Sequence, residues 1–348
     1  MSVLDDPDAL RAADPSGMLD SVGASADDCE TGYTAGLAAG GLPVTGDLTG
    51  VTFLGMGGSA VAGDLTRALF RQRLGVPLDV VRSPELPEHC ETRSLVVATS
   101  YSGDTAETLA AFEEAVERGC RIVAVTSGGR LARRAAEEGI PVVSIPGGMQ
   151  PRAALGHLAF TTLGALEAAG VLPRLGGEVR ETVGLLRALA AELGPEKQGN
   201  RAMRLAERIG DRYAVIWGTE GIGSVAAMRW KTQINENAKR PAWWASMSEL
   251  DHNEIVGWVD GAGADHFLVT LRHDGEAPSI APRFPLSVDL VAASGLHHEE
   301  VQAVGDSALA RACSLILMGD FVSVYLGLLR RVDPTPVEVI DRLKKALG

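Results

Sequence analysis

The sequence has no block of lysine and arginine, few cysteines, no basic leader and no long apolar run. Its 348 residues carry 45 Asp and Glu against 32 Lys and Arg, a formal charge of −13. A nucleic-acid partner or an anionic membrane surface needs a basic face, so neither is expected. An anionic small ligand stays compatible, because a pocket needs only a few local donors. The cysteines Cys29, Cys90, Cys120 and Cys313 are far apart and form no CxxC pair. Cys120 and Cys313 lie in apolar, regular segments, the ordinary setting of buried free thiols. A reducing cytoplasm is the expected location. The N-terminal "MSVLDDPDALRAADPSG" is acidic where a secretory leader needs a basic region followed by an apolar core. No stretch reads as the ~18 apolar residues of a membrane span.

What is present is a soluble, globular composition, 46% hydrophobic and 22% charged, long enough for two domains. Residues 1–47 read as an acidic helical arm. "GVTFLGMGG" then gives a strand and a glycine turn, and "SAVAGDLTRALFRQRL" has helical spacing. "PLDVVRS", "RSLVVATS", "RIVAVTS" and "IPVVSIP" follow as strands, with helical patterns near 104–118 and 130–138 between them. Near-continuous Val/Ile strands alternating with amphipathic helices predict an α/β fold with a doubly wound parallel sheet. This first domain is expected over 48–175, with a helical connection over 176–208. "RYAVIWGTEGIGSVAAMRWK" restarts the same strand, glycine turn and helix, so a second copy is expected over 209–348. "DHFLVTLRH" and "HEEVQAVG" supply its later strands, a long helix runs from about Ser307 to Arg331, and a short amphipathic helix closes the chain.

The turn "GMGGSA" fits a dinucleotide fingerprint at Gly55, Gly57 and Ala60. That reading needs an acid at the end of the next strand to hold a ribose. "PLDVVRS" ends in Arg82 and Ser83, and Asp79 comes too early. The hydroxyls offer another reading. Ser59 stands at the mouth of one helix beside Gly57 and Gly58, and Ser100, Ser102 and Thr105 occupy the turn into the next. Helix N-termini present free N–H groups and partial positive charge, and hydroxyls add neutral donors. Two such turns at the carboxyl edge of adjacent strands would cradle a phosphate monoester. The plain alternative is that these residues only cap helices.

"GMGGSAVAGD" together with "SYSGDTAET" resembles the sugar isomerase (SIS) domain, a fold that binds phosphosugars. "PRAALG" at 151–156, "NENAK" at 235–239 and "DHNEIVGW" at 251–258 narrow the likeness. With them the chain resembles the bifunctional phosphoglucose/phosphomannose isomerases, built from two SIS domains, from about residue 50 to the C-terminus. The resemblance implies interconversion of glucose 6-phosphate and mannose 6-phosphate with fructose 6-phosphate.

Moving a proton between C1 and C2 calls for a carboxylate near both carbons. Glu236, late in a helical segment and flanked by two amides, is the candidate base, and burial would make it a better one. The bland reading is a solvated helix carboxylate paired with Lys239. Arg152 follows Pro151 at an expected helix start, where the helix dipole disfavours a cation unless it faces an anion; there it can stabilise an enediolate. The resemblance assigns ring opening to His252, reaching into the neighbouring subunit of a homodimer, and to a lysine near the C-terminus. Lys344 is favoured over the adjacent Lys345. His297 and His298, with Glu299 and Glu300, read as a polar loop before a strand, and neither metal nor cofactor is expected.

Two other functions compete with isomerisation. A non-catalytic SIS sensor of phosphosugars would keep the hydroxyl turns but has no reason to keep Arg152, Glu236 and His252. Another phosphosugar isomerase, free-standing or derived from an amidotransferase, is disfavoured by the absence of a glutaminase-like segment and by the specificity of "NENAK" and "DHNEIVGW".

Overall fold

Strands apolar on both faces must be covered on both sides. The computed structural model arranges this chain's strands accordingly, and describes residues 3–258 and 261–347 apart from the side chains of Asp341, Lys344 and Leu347. The chain divides into two compact units. One, the N-terminal domain, comprises residues 24–186 and 305–310; the other, the C-terminal domain, comprises 1–23, 187–304 and 311–348. The acidic arm is thus shared out. Helices α1 (Pro7–Ala13) and α2 (Met18–Gly23) group with the C-terminal domain, and α3 (Ser25–Leu37) with the N-terminal one.

The N-terminal domain continues as β1 (Gly50–Leu54), α4 (Gly57–Phe70), β2 (Leu78–Val81), β3 (Ser94–Ser100) and α5 (Ala106–Glu117). Strand β4 (Arg121–Thr126), α6 (Gly129–Glu137), β5 (Val142–Ser144) and α7 (Leu155–Ala168) complete it. All five residues of β1 and all seven of β3 are buried. The strands pair in parallel in the order β2-β1-β3-β4-β5. Strand order reverses between β1 and β3, the place where doubly wound sheets open a crevice at their carboxyl edge. The turns after those two strands are the two hydroxyl-rich turns.

Helix α8 (Gly176–Leu193) and α9 (Arg201–Ile209) lead to β6 (Tyr213–Thr219), α10 (Ile222–Asn237) and β7 (Ala242–Met247). Then come β8 (His266–Arg272), α11 (Arg283–Ala292), β9 (His297–Gln302), α12 (Ala308–Leu329) and α13 (Glu338–Leu347). Asn200 caps α9 by accepting from the amides of Ala202 and Met203. The second sheet is again parallel, in the order β7-β6-β8-β9, with its reversal between β6 and β8. The two sheets repeat one plan.

Four features depart from the sequence reading. His297 and His298 do not lie in a loop; they open β9, where His298 Nε2 pairs with Thr270 Oγ1 at 2.9 Å and His297 stacks on Phe267. Strand β7 and helix α11 were not expected. And α12 is, by length and composition, long and apolar enough to cross a membrane. It is instead a core helix, with 94% of its most apolar 18-residue window buried inside the protein.

Candidate active site

The turn after β1 leads into Gly57, the first residue of α4, whose φ of 52° suits glycine. A Cβ on Gly58 would stand 3.1 Å from Pro151 O and 3.4 Å from Arg152 Cα, so the 151–154 segment lies directly against this turn. Ser59, buried at the first turn of α4, accepts the Tyr101 amide at 3.1 Å and so ties the first turn to the second. In the second turn Ser100 Oγ accepts from Gly103 N and pairs with Thr105 Oγ1, both at 3.1 Å. Ser102, exposed, accepts from Asp104 N at 3.3 Å. Gly103 is required twice over. Its φ is 70°, and a Cβ there would stand 1.9 Å from Gly128 O.

The hydroxyls of Ser59 and Ser102 act here as acceptors, which leaves each O–H free to donate. Of the Ser100–Thr105 pair, one proton is used between them and the other is free. With the leading amides of α4 and α5, the crevice presents a set of donors, and the Asp104 carboxylate stands in the second turn. That carboxylate is engaged by the Arg130 amide at 3.1 Å and the Arg130 Nε at 3.3 Å. Such a set suits a phosphate. The acid that a dinucleotide would need after β2 is not there. Arg82 occupies the position and is ion-paired with Asp64 of α4.

Arg152 sits differently from expectation. Residues 151–154 form a turn and α7 begins only at Leu155, so Arg152 precedes the helix. It is 3% exposed, not a surface arginine. Its Nη1 donates to Gln150 Oε1 at 3.3 Å, and the neighbouring Met149 amide donates to the Tyr101 hydroxyl at 2.7 Å. Gly57, Gly58, Ser59, Ser100, Ser102, Thr105 and Arg152 therefore come together at one edge of the first sheet.

Glu236 occupies the last turn of α10. The two flanking amides fix the helix that carries it. Asn235 Nδ2 donates to Arg240 O at 2.8 Å, and Asn237, fully buried, donates to Ser323 Oγ of α12 at 2.9 Å. One and two turns back on the same face, Gln233 Nε2 reaches Asp320 Oδ1 at 3.1 Å, and Arg229 forms a two-pronged pair with Asp320 at 3.0 and 2.7 Å. Burial pushes the Asp320 carboxyl up, and Arg229 opposes that shift. Lys239, in the left-handed region at φ 51°, ends the helix and donates to Glu236 O at 2.5 Å and Pro334 O at 2.8 Å. The side chain of Glu236 is half-buried and lines a groove of about 1000 Å³ with Lys231, Trp243, Val337 and Ile340. Its own domain does not bury it fully.

His252 follows β7 in a tight turn. Its neighbours in "DHNE" anchor that turn. Asp251 accepts from Arg283 Nη1 at 3.1 Å and Ser287 Oγ at 2.8 Å; Asn253 donates to Glu249 at 2.8 Å. Glu254 accepts the indole N–H of Trp217 at 2.9 Å and that of Trp258 at 3.3 Å. His252 itself is exposed. The chain does not bring Glu236 and His252 together. Helix α10 returns to the amino edge of the sheet before β7 starts, so Glu236 lies near one end of β7 and His252 beyond the other. About 17 Å of extended strand separates those ends. Helix α13 carries Lys345, which is exposed, and Lys344, whose side chain lies outside the described residues.

The glycine turn after β6 matches the first in outline. Gly221 has φ 93°, and a Cβ on Gly218 would stand 2.3 Å from Gly223 O. Its serine is bonded differently. Ser224 Oγ donates to the Thr219 carbonyl at 2.8 Å and meets Ser246 Oγ at 2.8 Å. A carbonyl can only accept, so the Ser224 proton is committed inside the fold.

Residues 50–146 match the SIS domain family, and residues 198–347 match the bacterial phospho-glucose isomerase C-terminal SIS domain. The chain is 37% identical over 309 residues to the bifunctional phosphoglucose/phosphomannose isomerase of Caldicellulosiruptor bescii, covering 87% of this chain and 90% of that one. It is 34% identical over 306 residues to the Aquifex aeolicus protein of the same name, covering 86% and 92%. A solved glucose-6-phosphate isomerase like protein from Thermus thermophilus shares the fold, with a TM-score of 0.64 at 21% identity over 98% of both chains. Two SIS domains in tandem, with more than a third of the residues shared with a relative along nearly the whole length, establish that this chain belongs to the family of bifunctional phosphoglucose/phosphomannose isomerases.

Proposed function

We propose that the chain interconverts glucose 6-phosphate and mannose 6-phosphate with fructose 6-phosphate through a cis-enediolate, without a metal. The observation that carries this reading is the donor crevice between β1 and β3, in a chain of this family. Gly57, Gly58, Ser59, Ser100, Ser102 and Thr105 hold the phosphate. Glu236 takes the C2 proton of the open-chain aldose and returns it to C1. Arg152, permanently charged beside the cradle, stabilises the enediolate oxygens as charge develops. His252 and Lys344 move protons at the ring oxygen and the C1 hydroxyl during ring opening. Glucose and mannose 6-phosphates differ only at C2 and give the same enediolate once that proton is removed, so one base serves both.

The separation of Glu236 and His252 along β7 favours a homodimer in which His252 of one subunit completes the site of the other. Exposed apolar side chains near the His252 turn, Val256, Leu286 and Leu290, supply a surface for that contact. A cytoplasmic location accords with free cysteines, three of them buried. A protein that stays monomeric at assay concentration and is fully active would remove the shared site. The function itself is tested by a coupled assay of each aldose phosphate with a chelator present. Turnover of both sugars is expected; loss of turnover with the chelator, restored by metal, would contradict the mechanism.

A further inference from the structure

Helix α3 packs on α7 at backbone contact. A Cβ on Gly36 would stand 2.3 Å from Thr161 O, and one on Gly164 would stand 2.4 Å from Tyr33 O. Contacts advance along both helices in the same direction, from Asp28 against Gly156 to Leu37 against Gly164, so the two run parallel. At the end of this seam nearest Arg152 lies a buried polar cluster. His157 Nε2 stands 3.1 Å from Asp28 Oδ1, with side chains 7% and 13% exposed. Ser25 Oγ, Asp28 Oδ2, His157 Nδ1 and Thr161 Oγ1 are all buried there without a hydrogen-bond partner. Polar atoms left in that state are rare and call for an explanation.

Stability does not supply one, because a buried polar or ionic pair is generally no more stabilising than apolar side chains of the same volume. Register does. A seam lined by Gly32, Gly36, Gly156 and Gly164 is smooth, and a slip of one helical turn, about 5.4 Å, would meet similar small residues again. A polar pair across such a seam is satisfied in one register alone, as single buried polar residues fix the register of coiled coils. The register of α7 matters because the 151–154 turn leads straight into it, and that turn lies against the phosphate-side glycine Gly58.

We propose that Asp28 and His157 are positioning residues. Across the α3–α7 seam they lock α7, and through it they hold Arg152 at the edge of the phosphate crevice. The proposal rests on the reading of Arg152 as the group that stabilises the enediolate, and it gives part of the acidic N-terminal arm a role in the reaction.

The test is a kinetic cycle on the full chain with fructose 6-phosphate. Asp28→Leu/His157→Leu replaces the pair by apolar side chains. It is expected to fold, with kcat at least tenfold lower and KM for the sugar phosphate within about twofold, because the hydroxyl turns are untouched. In an Arg152→Ala background the same double replacement should lower kcat no further. His157→Gln, which puts an amide donor where Nε2 stood, should recover most of the kcat. Wild-type kcat in the double variant, or an equal loss with and without Arg152, would overturn the proposal. If the double variant does not fold, His157→Asn, too short to reach Asp28, takes its place. A tenfold fall in kcat at constant KM then supports the positioning role, and an unchanged kcat overturns it. Wild-type kcat in Arg152→Ala would instead overturn the reading of Arg152 beneath it.

Discussion

The glycine turns after β1 and β6 share a plan and differ in where their hydroxyl protons point. After β1, Ser59 and Ser102 accept backbone amides and keep their O–H groups for an outside acceptor. After β6, Ser224 has given its proton to the Thr219 carbonyl. A second difference follows the same line. The first turn is built from hydroxyls, which do not titrate near neutrality, whereas Thr219 in the second pairs with His273 Nε2 at 2.9 Å. The Gly275 amide donates to His273 Nδ1 at 3.1 Å, which fixes the ring proton on Nε2. On the function proposed above, one copy of the unit receives an anion, whereas the other has turned its polar groups inward. Duplicated domains of the same fold can divide their labour by the direction of a single hydrogen bond.

That contrast can be broken by substitution. Ser102→Ala should raise KM for every hexose 6-phosphate roughly tenfold, the worth of one hydrogen bond to a charged group, with kcat nearly constant, because the phosphate is held equally in ground and transition states. Ser224→Ala should leave both constants unchanged and reduce stability by about 1 kcal/mol, read as a shift in denaturant midpoint. A KM effect from Ser224→Ala equal to that of Ser102→Ala would erase the distinction.

The smallest expected effect is on acid stability. Desolvation holds His273 and His298, both in the C-terminal domain, below the ordinary histidine range. Such a group stays neutral in the folded chain while the unfolded chain takes up a proton, so stability falls as pH drops below about 6.5 and is unaffected well above it. Thermal unfolding between pH 7.5 and 5 should show that loss, and His273→Gln should flatten part of it. A His273→Gln profile parallel to that of the wild type would exclude this histidine as a source.

The alternation of buried strands was legible because β1 and β3 are apolar on both faces and leave no ambiguity of period. Strand β7 was not, since "AWWASM" is an edge strand with Trp243 49% and Trp244 38% exposed, so it shows neither alternation nor a clean apolar run. Strand β9 was expected from "HEEVQAVG", and only its opening histidines were read as loop, because an edge can carry "HHEE" without cost, and charge there discourages edge-to-edge pairing. The hydroxyl crevice was readable because each turn is local in sequence. The burial of Arg152 was not, because it depends on Gly58 from another turn. Nor was the distance between Glu236 and His252, sixteen residues apart in sequence. A crossover helix followed by a strand sends them to opposite edges of one sheet. The amides of "NENAK" were taken as restraints on the carboxylate; the bonds they make to Arg240 and Ser323 fix the helix that carries it.

The most direct test of the division between a binding domain and a reacting carboxylate is to follow Glu236→Gln in deuterated water with fructose 6-phosphate, measuring binding by calorimetry and solvent exchange of substrate hydrogen by NMR. Affinity within about threefold of wild type with no detectable exchange is the predicted result. Exchange that persists at the wild-type rate, or binding that disappears with the carboxylate, would contradict it.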